Sequence, residues 1–271
     1  MKLLLLIVWL SLTLYANPLL DEKIKSYIGG TKYETQKNLI NVLFARSEEF
    51  VKANGTIDSI KVITVLKQNG LLKLLYDNPV HLRLAFRTMQ DPIIFLKIIN
   101  ETLESMGYNY FLTNNALRDS TGFVWEIYLQ TEHIVDPVAF AKALELRGCS
   151  VNNVINNDNH YWFYDINSEN AYLSAKELEI SISTNLGKPL KPYWVRAKGL
   201  KEITISAHAG DKWFPHVVFF DENLHVINAI KSVESMKNLK VKVPEGTSYL
   251  KLSDTFMLEN IKHGLTVLAK D

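Results

Sequence analysis

The strongest constraint on the fold of this chain is a change of pattern near residue 178. From Leu178 to Lys270 short apolar runs are separated by Gly, Pro, Asp and Asn, which is typical of an all-β domain. The predicted strands are 178–184, 193–197, 201–208, 216–221, 224–231, 238–243, 247–252 and 264–269, with clear turns at 221–223 and 244–247. Eight short strands predict a C-terminal β-sandwich domain, jelly-roll-like, over 178–271.

A repeated heptapeptide organises the middle of the chain. The pattern D-P-x-x-F-x-K occurs at 91–97 and again at 136–142. Asp as N-cap followed by Pro at the first helical position predicts a helix start, and Gly107 and Gly148 suit the helix ends. The repeat is interpreted as an internal duplication, the alternative being two unrelated helices that share a good N-terminus.

Strands are predicted around these two helices. They lie at 80–87, 108–112, 123–129 and 150–155, with a hairpin at 119–122 and an added edge strand at 161–166. A strand-helix-strand unit that occurs twice and is joined by a hairpin predicts a ferredoxin-like split β-α-β domain over 79–167. Residues 168–177 are predicted to form a linker, so the fold class is α+β followed by an all-β domain.

The segment 17–78 has helical periodicity. Thr31 and Glu34 match the T-x-x-E capping box, which predicts a helix start after Gly29-Gly30. That helix carries Leu39, Leu43, Phe44 and Phe50 and is predicted to end at Asn54-Gly55, while a second one carries Ile60, Ile63 and Leu66 and ends at Asn69-Gly70. Amphipathic helices of this kind either pack on the following sheet or dock on a partner.

The first sixteen residues have the order of a secretory signal peptide. Lys2 precedes the mostly apolar run from Leu3 to Tyr15, which is shorter than a bilayer-spanning helix, and Ala16 offers a small residue for cleavage. Bulky Leu14 keeps an uncleaved anchor open as the alternative. After cleavage no stable membrane insertion is expected.

Charge and cysteine content restrict partners and compartment. Without Lys2 the chain has 29 basic and 29 acidic residues, so its formal charge is 29 − 29 = 0. Neutrality argues against nucleic acid and against anionic lipid as main partners. Cys149 is the single cysteine, which excludes an intrachain disulfide and favours a bacterial periplasm, with the cell surface or the exterior as the alternative. Its thiol is interpreted as buried rather than reactive.

Catalytic and metal-binding motifs give little signal. His208, Asp211 and His216 lie within nine residues, but the preferred interpretation is two strand histidines beside a turn, so no metal and no cofactor is expected. Glu132, His133 and Asp136 are interpreted as strand end, loop and N-cap. No nucleophile elbow and no glycine-rich phosphate loop is present in the sequence.

The loop 209–215 is the predicted ligand-binding element. It brings together the acceptor Asp211, the donor Lys212 and the aromatic residues Trp213 and Phe214, which suits a sugar ring. Core packing is the commoner role of such a Trp, and it stands as the alternative to sugar contact for Trp213. In strand count and aromatic placement, the C-terminal half resembles galactose-binding-like and carbohydrate-binding-module sandwiches, a likeness of fold that does not by itself carry function.

These observations favour a non-enzymatic binding or assembly protein of the periplasm. The ferredoxin-like part is expected to contact an envelope protein, with the aromatic run 161–166 as a suitable edge. The sandwich is expected to contact a protein or a glycan such as peptidoglycan. The alternative is an envelope hydrolase acting on glycan or peptide, with a site at the domain junction.

Overall fold

A computed structural model describes residues 17–157 and 160–271. The predicted signal peptide, 1–16, and residues 158–159 lie outside the described residues. The chain divides into two compact units. The first, called the sheet unit, contains the described residues up to Met89 and Thr102–Asn167, and the second, called the sandwich unit, contains Gln90–Glu101 and Ser168–Asp271.

The sheet unit begins with short helices. They are α1 Pro18–Ile28, α2 Gly30–Thr35, α3 Lys37–Leu43, a 3-10 helix at Ser47–Phe50, and α4 Ser59–Gln68. Asn17 caps α1 and Asp58 caps α4 through side-chain hydrogen bonds, and Gly70 ends α4 with a positive φ of 70°. Contacts of α1 and α4 with the edge strand of the sheet confirm that these helices pack on the sheet.

Two predictions for the segment 17–78 are wrong. Thr31 lies inside α2, where its carbonyl accepts a hydrogen bond from the Thr35 hydroxyl, and the N-cap is Gly29, so there is no capping box. The continuous helix over Leu39 and Phe50 is broken into α3 and a 3-10 helix, with Leu39 exposed. The spacing of apolar residues shows that helical turns are present, but it does not show where one helix is interrupted and the next begins.

The sheet has five strands. They are β1 Leu75–Thr88, β2 Leu112–Asp119, β3 Gly122–His133, β4 Ser150–Asn156 and β5 Tyr161–Asn167, with α6 Pro137–Glu145 before β4. The strand order is β2-β3-β1-β5-β4, with β1 and β5 parallel and every other neighbouring pair antiparallel. The predicted hairpin is confirmed, because Asp119 pairs with Gly122.

The prediction that 161–166 forms an edge strand is wrong. β5 is inserted between β1 and β4, where its backbone is paired on both sides. Trp162, Tyr164 and Ile166 of β5 are buried, and Tyr164 packs against Phe86 and Phe140. A strand with this aromatic content buries more apolar area inside the sheet than at its edge.

Helix α5, Pro92–Ser105, carries the first copy of the repeat. Asp91 accepts a hydrogen bond from the Ile93 backbone at 2.8 Å, as an N-cap does, and Gly107 has a positive φ of 94°. Residues up to Glu101 group with the sandwich unit, where Lys97 lies 5.3 Å from the Trp194 ring centre. The second copy behaves alike, since Asp136 caps α6 by accepting from Val138 and Ala139.

The sandwich unit contains two four-stranded sheets. Its strands are β6 Ser183–Asn185, β7 Tyr193–Arg196, β8 Glu202–Ala207, β9 Pro215–Phe220, β10 Val226–Lys231, β11 Asn238–Lys242, β12 Tyr249–Asp254 and β13 Leu265–Lys270. One sheet has the order β10-β9-β12-β7 and the other β11-β8-β13-β6. Seven of the eight predicted strands coincide with strands of the structure, whereas the first, predicted at 178–184, is replaced by the short β6, which overlaps it only at 183–184. Apolar side chains from both sheets share one buried core.

The protein is therefore an α+β chain with a β-sandwich in its second unit. None of the helices within 17–157 and 160–271 combines the length and the hydrophobicity that a bilayer crossing needs.

Candidate functional site

The predicted ligand loop, 209–215, joins β8 to β9 and is tied to two other loops of the sandwich. The Met236 backbone donates to the Trp213 carbonyl at 2.8 Å, which links it to the β10–β11 loop. Lys212 donates through its backbone to the Asn260 carbonyl at 3.2 Å, which links it to the β12–β13 loop. The Lys237 ammonium group donates to the Ala209 carbonyl at 2.8 Å. Three loops therefore form one hydrogen-bonded end of the sandwich, called the loop end.

Trp213 lies inside this end rather than on it. Its side chain has 0 % exposure and belongs to the sandwich core, and its indole Nε1 donates to the Ser253 carbonyl at 2.9 Å. The ring therefore has no free face for a sugar, and the core-packing alternative describes this residue. The sequence shows that the loop contains a Trp next to Gly and Asp. Only the tertiary fold decides whether the ring points into the core or into solvent.

The other three predicted residues differ in exposure. The Asp211 side chain is buried, Lys212 is exposed, and Phe214 is half-buried. Phe214 packs edge to face on Phe256, with the ring centres 4.9 Å apart, and Phe256 is 58 % exposed. What the loop end offers to a ligand is therefore Lys212 and the Phe214–Phe256 pair.

The Asp211 carboxylate is engaged by His263. Its Oδ2 accepts a hydrogen bond from the His263 backbone at 3.2 Å, and its Oδ1 lies 2.6 Å from His263 Nδ1. The structure thus brings His208, Asp211 and His263 together, whereas the sequence grouped His208 and Asp211 with His216. His263 is more than fifty residues from Asp211, so no local spacing could have indicated it.

His216 has a different environment. One of its ring nitrogens lies 3.3 Å from the Ser253 hydroxyl on the neighbouring strand β12. Burial, followed by the nearby Lys251 and Lys231 ammonium groups, lowers the pKa of His216. This ring is a strand side chain, as the preferred interpretation of the sequence had it.

A close backbone approach shapes the loop end. Gly264 has a φ of 94°, and a Cβ at this position would lie 2.4 Å from the Gly187 carbonyl oxygen. The same carbonyl accepts a hydrogen bond from the Tyr193 hydroxyl at 2.5 Å. Burial is the main cause that raises the pKa of Tyr193 to about 12, with the Asp211 carboxylate contributing. Only glycine at 264 allows the β12–β13 loop to lie this close to the loop before β7.

The sheet unit presents a second candidate surface. One face of the sheet carries Leu82, Leu84 and Phe86 and is buried, while the side chains between them in register point to the opposite face. We call this opposite face the open face. Its members are partly exposed and lie on the three central strands: Arg83, Arg87, Val124, Glu126, Tyr128, Tyr161, Phe163 and Asp165.

Arginine and aromatic side chains are interleaved on the open face. The Arg83 guanidinium lies 4.9 Å from the Tyr161 ring centre, and the Arg87 guanidinium lies 5.6 Å from that of Phe163. Arg87 also forms an ion pair with Asp165 at 3.0 Å. These contacts hold the rings and the guanidinium groups in place while leaving part of each surface to solvent.

The two edge strands of the sheet, β2 and β4, differ in whether their outward backbone groups are hydrogen-bonded. Strand β2 pairs only with β3 among the described residues, and its Leu112 and Leu117 are exposed. On β4 the outward carbonyls are satisfied, because Lys23 donates to Val154 at 2.7 Å and Lys52 donates to Asn152 at 3.0 Å. The open backbone edge of the sheet is thus β2.

A cavity of about 720 Å³ lies beside the capped β4 edge. Its lining includes Lys23, Lys52 and Asn153, and burial lowers the pKa of Lys23 to about 8. The Lys23 ammonium group donates to Asn153 Oδ1 at 2.6 Å and to the Val154 carbonyl of β4. Both hydrogen bonds therefore satisfy acceptors on the edge strand. We interpret the lysines of this cavity as strand caps.

Two other groups named from the sequence have structural roles. Asp136 caps α6 and pairs with the Lys67 ammonium group, while Glu132 and His133 are exposed at the end of β3. Cys149 is buried, as predicted, and burial raises the pKa of its thiol to about 11.

Comparison of the chain with protein-family models, with curated proteins and with solved structures found no significant match in any of the three.

Proposed function

We propose that this chain is an exported binding protein of the cell envelope that contacts a protein partner through the open face of its sheet unit. The main support for this proposal is one partly exposed surface on which Arg83 and Arg87 alternate with Tyr128, Tyr161 and Phe163. Tyr and Arg are enriched among the residues that dominate binding energy in protein interfaces. The proposed compartment is the periplasm, with the cell surface or the exterior as the alternative.

The strand order supports a finer assignment of the sheet unit as an extended ferredoxin-like fold. Without β5 the order would be β2-β3-β1-β4, with chain connections β1-α5-β2 and β3-α6-β4. This is the split β-α-β arrangement with one strand inserted.

The strand pairing supports a jelly-roll assignment of the sandwich unit. Counting from β6, the first strand pairs with the eighth, the second with the seventh, the third with the sixth and the fourth with the fifth. This nesting is what a long hairpin rolled into two sheets produces. The loop end then lies where several of the connections between strands meet.

Site-specific photo-crosslinking in the native cell tests the proposed face. A photoreactive residue at Tyr128 is expected to capture a discrete partner, whereas the same residue at Arg46, an exposed position in the 3-10 region, is expected to capture none. Arg83→Glu should weaken capture from position 128 by about tenfold or more, as loss of an interface arginine does. Arg46→Glu is the matched charge reversal and should leave capture unchanged.

The outcome against the proposal is equally specific. Capture from position 128 that is indifferent to Arg83→Glu, or no capture from it in cells that contain the protein, rejects the open face as the binding surface. The melting temperature of Arg83→Glu is measured in parallel to show that the sheet unit still folds.

Export has its own test. The signal-peptide interpretation predicts that the protein is released by osmotic shock and that its N-terminus is Asn17. An intact mass that still includes Met1 would reject cleavage.

Glycan contact is a secondary proposal and concerns the loop end. The exposed edge of Phe256 beside Phe214, with Lys212 nearby in sequence, supports it. Phe256→Ala should lower retention on peptidoglycan without changing the melting temperature. Release of soluble fragments from that peptidoglycan would favour the envelope-hydrolase alternative instead.

A further inference from the structure

The loop end contains a cluster of metal-ligating side chains. His208, Asp211 and His263 each offer one ligand atom, and these atoms lie within 4.8 Å of one another. It is the one such group found in the part of the chain that the structure describes. We propose that this cluster binds a divalent transition-metal ion of the zinc class.

The backbone positions all three residues. His208 follows the end of β8, and a turn in which the Asp211 N–H donates to the His208 carbonyl at 3.0 Å brings Asp211 back beside it. His263 reaches Asp211 from the β12–β13 loop, where its own N–H donates to the carboxylate at 3.2 Å. Lys237 donates to the Ala209 and Asp211 carbonyls and so fixes the turn from a third loop. The cluster is therefore held by backbone bonds before any ion binds.

The donor set selects the kind of metal. Two imidazoles and one carboxylate suit zinc and its neighbours in the transition series, whereas Mg²⁺ and Ca²⁺ prefer sites made of oxygen atoms. At a tetrahedral zinc ion the ligand atoms lie roughly 3.3 Å apart, which follows from metal–ligand distances of about 2.0–2.1 Å. The ligand atoms of the cluster lie within 4.8 Å of one another, so side-chain rotation has to bring them closer to reach that spacing.

One contact bears on how the ion enters. His263 Nδ1 and Asp211 Oδ1 are 2.6 Å apart. If the metal takes this nitrogen, the neutral ring carries its hydrogen on Nε2 instead, and if the metal takes Nε2, the contact with Asp211 remains and orients the ring. The same contact offers a structural alternative to metal binding, in which the Asp211–His263 pair only closes the loop. His208 separates the two interpretations, because an Asp–His pair alone has no need of it.

Exposure suggests what the bound ion would do. The Asp211 side chain is 1 % exposed, but that of His263 is 47 % exposed and His208 lies on the surface. Three protein ligands at a surface leave a fourth coordination position open to water or to a donor group of a ligand. The site thus resembles the open metal sites that bind a partner group rather than the closed sites that only stabilise a fold.

The experiment uses the whole exported chain, made without a histidine tag and freed of metal by a chelator. Calorimetric titration with Zn²⁺ should show one site, and titration with Mg²⁺ should show none. His208→Asn should weaken zinc binding by about tenfold or more, which is the scale seen when a metal site loses a supporting group. His216→Asn is the matched control, since that histidine lies in the same unit outside the cluster, and it should bind zinc like the unchanged protein.

A second measurement reads coordination directly. Co²⁺ in place of zinc should give visible absorption bands of a four- or five-coordinate site, and these should vanish in His208→Asn. His208→Asn leaves the Asp211–His263 contact in place, so its fold should be kept, as its melting temperature without metal will show. Equal zinc binding by His208→Asn and the unchanged protein, or no zinc binding at all, would overturn the proposal.

Discussion

The two units bury their β-sheets in different ways. The sheet unit covers one face of a single sheet with helices and leaves the other face partly exposed, while the sandwich unit turns the inner faces of two sheets toward each other. A layered α+β unit therefore presents a broad surface, and a sandwich presents its loops. This difference explains why the proposed protein contact lies on strands and the proposed metal site lies between loops.

Two buried tryptophans show the same contrast at the level of single residues. Trp162 is the second residue of β5, with its ring centre 6.2 Å from that of Tyr27 in α1, and its indole nitrogen is buried without a hydrogen-bond partner among the described residues. Trp213 lies in a loop, and its indole nitrogen donates to the Ser253 carbonyl. The strand thus uses its tryptophan for packing alone, and the loop uses its tryptophan for packing and for a hydrogen bond.

The largest effect is expected for Trp213→Ala. Removal of a fully buried indole should cost about 3–5 kcal/mol of the free energy of unfolding of the sandwich unit, because it leaves a cavity and an unpaired carbonyl. Phe256→Ala, at an exposed ring in a loop of the same end, is the control and should change stability little. Chemical denaturation followed by circular dichroism measures both. A silent Trp213→Ala would mean that the loop does not belong to the sandwich core.

A matched pair of Trp→Phe variants sharpens the comparison. Trp213→Phe loses ring area and leaves the Ser253 carbonyl without its donor, whereas Trp162→Phe loses ring area and removes a donor that had no partner. The free-energy cost should therefore be larger at 213 than at 162, by about 1 kcal/mol. The reverse order would contradict the assigned role of the Ser253 bond.

The next effect is expected at the helix caps. Asp136→Ala removes the cap of α6 and the contact with Lys67, so it should cost about 1–2 kcal/mol in the sheet unit. Asp136→Asn keeps a capping side chain and loses only the charge, and it should recover most of that cost. Asp91→Ala should cost about 0.5–2 kcal/mol. Silent alanine variants at both positions would remove the helix-start interpretation of the repeat.

The smallest effect is a pH dependence in the sandwich unit. The folded-state pKa of His216 is lowered, so the unfolded chain takes up its proton first as the pH falls below about 6.5. The stability contributed by neutral His216 is thus complete above that pH and declines below it. His216→Asn should flatten this decline between about pH 7 and about pH 5, as measured by denaturation midpoints. A steeper decline in the variant would reverse the assigned sign.

Local signals account for much of what could be predicted. Short apolar runs separated by turn residues were enough to find seven of the eight strands of the sandwich, and the Asp-Pro pairs were enough to find the starts of α5 and α6. Such features depend on neighbours within a few residues, which any single sequence displays. The insertion of β5 could not be predicted, because the choice between an edge and an interior position is made by pairing with β1, a strand more than seventy residues earlier in the chain.

The candidate sites follow the same division. The sequence by itself determined that Asp211, Lys212, Trp213 and Phe214 form a loop with mixed chemistry, and that Tyr161 to Ile166 is an aromatic strand. Only the tertiary structure decided that Trp213 turns into the core, that His263 joins His208 and Asp211, and that Tyr161 and Phe163 share a face with Arg83 and Arg87. The physical reason is that composition and spacing act along the chain, whereas burial and ligand geometry depend on which distant segments pack together.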